Sequence, residues 1–100
     1  MNMQQLMIQA QKMQRELKKA QDELHKQEFT LSKGGAVTVV VLGDRTIKSV
    51  KIDADAFEAD NKEMIEDMIA MAINEALEKV DAAEAEINER ITGAAQGLGF

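Results

Sequence analysis

Apolar side chains recur every three or four residues along the first quarter of this chain, and charged or amide side chains fill the gaps. The apolar positions are Met3, Leu6, Ala10, Met13, Leu17, Ala20 and Leu24. A repeat of about 3.5 residues is typical of a helix that packs through one narrow seam, as in a coiled coil. The pattern predicts a helix over about residues 2–27, roughly 37 Å long. Because a compact domain of this size has a radius of gyration of only about 13 Å, we expect the helix to project as an arm.

The next segment changes from helical spacing to the alternation that is typical of β-strands. Phe29 and Leu31 alternate with polar residues, and a glycine pair follows shortly afterwards. Residues 36–42 are dense in β-branched side chains, which favour strands. Together with one further strand, these segments predict a three-stranded antiparallel meander over about residues 28–52.

In the third strand, over residues 46–52, apolar side chains stand at both even and odd positions, which face opposite sides of a sheet. Val50 and Ile52 share one face of this strand, whereas Ile47 falls on the opposite parity. Two arrangements fit this pattern, because either a β-bulge near Lys48 or a strand with apolar contacts on both sides would account for it.

A second long helix is predicted over about residues 61–92, after an acidic connector over residues 53–60. Asp60 followed by Glu63 resembles a capping box at the start of this helix. The apolar seam consists of Ile65, Ile69, Ala72, Ala76, Val80, Ala83, Ile87 and Ile91. We expect the first helix to pack along the whole of this seam, and the first half of the second helix to be buried also against the sheet and a second subunit. Three glycines in the last segment predict a flexible tail over residues 93–100.

These elements predict an α+β fold in a single domain over residues 1–100, with the order α-β-β-β-α. The two long helices would leave the meander side by side and form arms. The chain is 45% hydrophobic, but much of that fraction is Ala and Met, and only three residues are aromatic. A core of that composition is thin, so we expect part of the stabilisation to come from self-association.

Charge is unevenly divided along the chain. The formal net charge is −6, but residues 1–52 hold nine Lys or Arg against five Asp or Glu, whereas residues 53–100 hold three against thirteen. A globally acidic chain does not attract nucleic acid through its overall charge. Any contact with a polyanion therefore has to use a local basic face in the first half of the chain.

Composition also narrows the chemistry that the chain can perform. It has no Cys and one His, and no catalytic Ser/His/Asp set, phosphate-binding glycine loop or cluster of metal ligands can be assembled from it. We therefore expect no enzyme activity, no cofactor, no metal and no small-molecule substrate. The lack of Cys suits the cytoplasm, and no apolar run is long enough to indicate secretion or membrane spanning.

One basic face of the first helix is the candidate binding site, because its basic residues are spaced to align opposite the apolar seam. With one further residue near the end of the second helix, the candidates are Lys12, Arg15, Lys18, Lys19, Lys26 and Arg90. Two interpretations fit these residues. They form a stripe that contacts phosphates without reading sequence, or an ordinary solvated face with pairs such as Lys12–Glu16.

Four short motifs follow one another in order along nearly the whole chain. They are Gln-Ala-Gln-Lys-Met-Gln at 9–14, Ala-Gln-Asp-Glu-Leu at 20–24, Val-Lys-Ile-Asp at 50–53 and Glu-Met-Ile-Glu-Asp-Met-Ile at 63–69. In this order they resemble the YbaB/EbfC family of nucleoid-associated proteins. The resemblance implies a tweezer-like homodimer of the α-β-β-β-α fold that binds DNA between or along its helical arms. It also implies a cytoplasmic, nucleoid-associated location, an influence on nucleoid organisation and gene expression, and no catalysis.

The free end of the first helix favours a different class of function. Met3, Leu6, Met7 and Ile8 are apolar, and the first eleven residues contain no Lys or Arg. An exposed apolar arm end could bind unfolded clients, so a holdase that resembles prefoldin is the alternative. A structural dimerisation scaffold is the third hypothesis.

Overall fold

A computed structural model of the chain describes residues 2–96, and side-chain surroundings as far as Gly93. The elements are α1 (Met3–Lys26), β1 (Glu28–Lys33), β2 (Val37–Leu42), β3 (Ile47–Ile52) and α2 (Lys62–Gln96), with short 3₁₀ turns at Ala54–Ala56 and Ala59–Asn61. The three strands form one antiparallel sheet in the order β1-β2-β3. The predicted α+β class and the order α-β-β-β-α are therefore confirmed.

The molecule is elongated because the two helices continue beyond the sheet. Its extents are 69 × 18 × 14 Å and its radius of gyration is 19.7 Å, against about 13 Å for a compact domain of this length. Ala20 and Leu24 of the α1 seam are buried, whereas Met3 near the free end is 76% exposed. The predicted arm is thus present, and its packing is tightest near the sheet.

The start of α1 is fixed by a capping box that the sequence analysis did not identify. The Gln5 backbone N–H donates to Asn2 Oδ1 at 2.8 Å, and the Asn2 N–H donates to Gln5 Oε1 at 3.3 Å. Asn followed three residues later by Gln, just before an apolar seam, was the available signal. This pair satisfies two backbone donors that a helix start otherwise leaves without partners.

The capping box predicted at the start of α2 is wrong. Asp60 lies inside the turn Ala59–Asn61, and its side chain accepts no hydrogen bond among the described residues. The segment is instead held by Asn61, whose Nδ2 donates to the Ala56 carbonyl oxygen at 3.0 Å. The connector therefore folds back on itself before α2 begins.

A β-bulge in β3 places all of its apolar side chains on one face. Val37, Val39 and Val41 of β2 are fully buried. Across the sheet they pair with Ile52, Val50 and Ile47, and the register shifts between Val40 and Val41. The shift leaves Lys48 as the extra residue, so Ile47 returns to the parity of Val50. Of the two arrangements that fitted the sequence, the bulge is the correct one.

The apolar seam of α2 packs against two different surfaces along its length. Its first half, with Ile65, Ala72 and Ala76, packs on β1 and β2 and forms the core with the valines of β2. Only the second half faces α1, where Ile87 and Ile91 line the grooves between the helices. The expectation that α1 packs along the whole seam is wrong, because the sheet occupies the first half.

The end of α2 lies further along the chain than predicted. The helix includes Gly93 and continues to Gln96, so the first four residues of the predicted tail are helical. The remaining residues of that tail, 97–100, lie outside the described residues.

Gly43 joins the end of α1 to the turn between β2 and β3 by an unusually close backbone approach. Its N–H donates to the Gln27 carbonyl oxygen at 3.0 Å. A Cβ atom at this position would lie 1.8 Å from the Leu24 carbonyl oxygen and 2.6 Å from its carbonyl carbon. Only glycine fits here, and the contact fixes the base of the arm against the sheet.

Candidate nucleic-acid interface

The structure places the basic residues of α1 on the side of the helix that faces solvent. Because successive residues turn by about 100° around a helix, this side is opposite the buried positions Ala20 and Leu24. We call it the basic face, and it consists of Lys12, Arg15, Lys19 and Lys26, all exposed. Lys18 is also exposed, one position to the side of this line. The predicted site is thus accessible along three turns or more of the helix.

Two lysines of α1 are paired with acidic side chains of the same helix. Lys12 Nζ lies 4.0 Å from Glu16 Oε1, and Lys18 Nζ lies 3.3 Å from Asp22 Oδ2. All four side chains are more than half exposed, and an exposed pair of this spacing contributes only about 0.3–0.5 kcal/mol. Such weak pairs would not prevent either lysine from turning towards a phosphate.

The other three basic residues of the helix are not engaged in this way. Within the described part of the chain, Arg15, Lys19 and Lys26 form no ion pair. Their charges are therefore directed to solvent. They are the strongest candidates for contact with an external anion.

Arg90 of α2 lies beside the basic face but in a mixed electrostatic environment. It lines a shallow groove of about 280 Å³ between the helices, together with Lys19, Glu16 and Glu23. Arg90 is distant in sequence from the other candidate residues, but the fold places it next to α1. It can therefore contribute to the same local basic surface. The two glutamates in the same groove reduce its attraction for phosphate.

The two helices of the arm differ sharply in charge. Helix α1 carries five Lys or Arg against three Asp or Glu, whereas α2 carries three against nine. A polyanion that approaches the arm is attracted from the α1 side and repelled from the α2 side. The overall acidity of the chain therefore resides mainly away from the candidate site.

Two basic residues, Arg45 in the β2–β3 turn and Lys48 in β3, form ion pairs with acidic residues of the same chain. The Arg45 guanidinium binds the carboxylates of Asp81 and Glu84, the latter at 2.9 Å, and Lys48 binds Glu28. The hydrogen bond to Asp81 and, to a smaller extent, the one to Glu84 raise the pKa of the Arg45 guanidinium. Arg45 adopts a left-handed backbone conformation with φ 69°, and its side chain connects the turn to α2. Arg45 and Lys48 therefore have structural roles.

Part of the inner sheet face is not covered by α2, which packs on β1 and β2. We use the name open sheet face for Ile47, Val50 and Ile52 of β3 together with two adjoining residues, Phe57 of the connector and Ile69 of α2. Ile47 is 47%, Val50 41% and Phe57 72% exposed. Ile52, Phe57 and Ile69 also line an apolar groove of about 530 Å³ beside the start of α2. The pattern of apolar residues did not predict this surface, although an isolated Phe in an acidic connector was a signal for it.

Residues 2–96 include neither a membrane-spanning helix nor a metal site. Neither helix in this range combines the length and the apolar character needed to cross a bilayer. No group of three or more His, Asp or Glu side chains in the same range is arranged to hold a metal ion.

Comparison with known proteins agrees with the motifs in the sequence. The model of the YbaB/EbfC DNA-binding family matches residues 1–95. A nucleoid-associated protein of Clostridium novyi (strain NT) is 44% identical over 94 residues, which cover 93% of this chain and 82% of that protein.

Relatives from other bacteria are similar to nearly the whole chain as well. A nucleoid-associated protein of Xylella fastidiosa (strain Temecula1) is 47% identical over 98 residues, covering 97% of this chain and 88% of the relative. One from Mycoplasmopsis pulmonis is 38% identical over 91 residues, covering 91% of this chain and 90% of the relative. The match is therefore not confined to the helices and includes the meander.

Proposed function

The chain belongs to the YbaB/EbfC DNA-binding family, and from this premise we propose that it is a nucleoid-associated protein that binds duplex DNA as a homodimer. Binding has little sequence preference and influences nucleoid organisation and gene expression. The proposed location is the nucleoid in the cytoplasm, and no catalysis, cofactor or membrane contact forms part of this function. The observation that carries the proposal is the solvent-facing basic face of α1 on a projecting arm.

The basic face would bind DNA by neutralising phosphates. Arg15 and Lys19 are four residues apart, which places them about 6 Å apart along the helix axis. Lys26 lies about 10 Å further towards the sheet. These side chains can therefore reach successive phosphates of a backbone that runs along the arm. Contacts of this kind position the protein without reading the bases.

The open sheet face supports the homodimer. Val50 and Ile47 belong to the inner face of the sheet, which α2 covers only over the other two strands. Exposed apolar surface of this extent, continuous with a groove at Phe57, is unfavourable in water and typical of a contact surface. A second copy that packs on it would extend the thin core and hold two arms at fixed positions.

The first test is a gel-shift titration of the intact protein against a duplex of mixed sequence. We expect binding at about 50 mM salt that weakens steeply towards about 200 mM, because released counterions drive the association. No detectable complex at low salt would contradict the proposed function.

The second test replaces Lys12, Arg15 and Lys19 together by Gln. Each lost phosphate contact should reduce the salt slope by about one, and affinity at low salt should fall about tenfold or more. Secondary structure and oligomeric state should not change, because all three side chains are exposed.

The matched control changes the net charge by the same amount elsewhere. Lys51, Lys62 and Lys79 are exposed residues outside α1, and their joint replacement by Gln should weaken binding much less. Equal losses from the two triple variants would show that overall charge, rather than the basic face, determines affinity.

A holdase is the second candidate function, and one observation favours it. Met3, Met7 and Ile8 are all more than half exposed at the free end of α1, where an unfolded apolar segment could bind. Suppression of the aggregation of a denatured client protein, without binding to DNA at low salt, would support the holdase instead.

A further inference from the structure

The basic face continues from Arg15 towards the free end of α1 as a line of exposed side chains, and those beyond Arg15 are uncharged. Gln4, Ile8, Gln11 and Arg15 follow one another at spacings of four, three and four residues. At about 100° per residue, these positions fall within roughly 60° of one another around the helix. All four are exposed, and Ile8 is 56% exposed. We call this line the reading face.

The packing of the arm does not account for Ile8. The seam positions Leu6 and Ala10 on either side of it are partly covered, whereas Ile8 is turned about 160° from each of them around the helix axis. An apolar side chain directed to solvent on the basic face therefore has no structural partner among the described residues. Its position suits contact with the ligand that the basic face binds.

The electrostatics of this segment also suit a nucleic acid. Residues 2–15 contain no Asp or Glu, and the first acidic residue is Glu16, in a chain that has 18 acidic residues. The free end of α1 can therefore approach a duplex closely without repulsion from the phosphates. Lys12 and Arg15 follow immediately and carry the first positive charges of the helix.

We propose that the reading face lies in the major groove and recognises A·T base pairs, with Ile8 on the methyl group of thymine and Gln4 and Gln11 on adenine. This inference rests on the proposed DNA-binding function. The major groove, about 12 Å wide, admits a helix, whereas the minor groove, about 6 Å wide, does not. A Gln side chain can bond N6 and N7 of adenine together, and the thymine methyl accepts apolar contacts.

The chemistry of the line distinguishes DNA from a protein partner. A seam for another helix needs apolar residues at each of these spacings, but here glutamines stand before and after a single Ile. Alternation of amide and apolar groups matches the edges of A·T pairs, which offer hydrogen-bonding groups beside a methyl. The expected preference is modest, because burial of one methyl group changes affinity by about fourfold.

The test compares two duplexes of identical A·T-rich sequence, one with thymine and one with deoxyuridine in its place. The substitution removes only the methyl group in the major groove. We expect the intact protein, at about 50 mM salt, to bind the deoxyuridine duplex about fourfold more weakly for each methyl contact that is lost. Equal dissociation constants would overturn the inference and leave the proposed function intact. Failure to bind either duplex would overturn the proposed function itself.

Two variants test whether Ile8 accounts for the preference for thymine over deoxyuridine. Ile8→Ala should bind both duplexes with the same affinity, close to that of the intact protein for deoxyuridine DNA. Met3→Ala removes an exposed side chain that lies outside the reading face and should keep the full preference for thymine. A preference that survives in Ile8→Ala, or a change in its sedimentation with unchanged binding to DNA, would overturn the assignment. The latter result would indicate a protein contact at this position.

Discussion

Replacing Gly43 by Ala should destabilise the protein by about 3–5 kcal/mol and separate the base of the arm from the sheet. The new Cβ atom would lie 1.8 Å from the Leu24 carbonyl oxygen. Because the clash is with the backbone of α1, no flexible side chain can move aside to relieve it. Either the turn or the end of α1 must shift, which also breaks the bond from the Gly43 N–H to Gln27. Thermal unfolding followed by circular dichroism should show a midpoint lower by about 15 °C or more.

The same substitution at a second glycine provides the control. Gly93 lies within α2, and a Cβ atom there would meet nothing within 4 Å. Gly93→Ala should therefore leave the midpoint unchanged or raise it, since Ala favours a helix over Gly by up to about 1 kcal/mol. A Gly43→Ala protein as stable as this control would contradict the described contact between the turn and α1.

Replacing Val50 by Lys should convert the proposed dimer into a monomer and greatly weaken binding to DNA. Val50 is 41% exposed in the single chain, so a lysine can reach solvent there without disturbing the protomer. In a dimer it would bury a charge without a partner, which costs several kcal/mol. Because one arm instead of two would then engage the duplex, affinity should fall by at least about tenfold.

Light scattering and a gel shift measure the two effects on the same preparation. Ser49→Lys adds the same charge one residue away, on the opposite face of the sheet, and should remain dimeric. If Val50→Lys stays dimeric at micromolar concentration, the open sheet face is not the dimer contact. A monomer that binds DNA as tightly as the intact protein would show that the two arms act independently.

Most of the regular elements of this fold could be predicted from the sequence because their apolar residues recur with a regular local spacing. The seam of α1 predicted a helix within one residue of its observed ends, and the valine-rich segment predicted β2. The odd position of Ile47 indicated either a β-bulge near Lys48 or a strand with apolar contacts on both sides, and only the register of the sheet identified the bulge. Patterns of this kind can be recognised from the sequence because each is contained within a few helical turns or a single strand.

Features that depend on tertiary contacts were not accessible in the same way. Nothing around Gly43 in the sequence indicates that the Leu24 carbonyl approaches it, because the two residues are distant along the chain. Whether α2 covers all three strands or only two depends on where its seam crosses the sheet. The open sheet face at Val50 therefore became visible only in the structure.

The candidate site was only partly predictable. Spacing alone aligned Arg15 and Lys19 opposite the seam, and the structure places both in solvent. Spacing could not show that Arg90 shares a groove with Lys19, nor that Arg45 is bound to α2 and so withdrawn from any external ligand. Ile8 was assigned to an apolar arm end, although its distance of seven residues from Arg15 already placed it on the basic face.

The charge difference between the two helices of the arm has a consequence for how DNA would be organised. When the basic side of α1 is seated on a duplex, the acidic side chains of α2 stay on the outside of the complex, and they outnumber its Lys and Arg by nine to three even though four of them are ion-paired. A coated duplex then keeps a negative exterior, and neighbouring coated segments repel each other at low ionic strength. A protein of this design would space DNA segments apart and would not condense them, in contrast to basic proteins that neutralise the duplex on all sides.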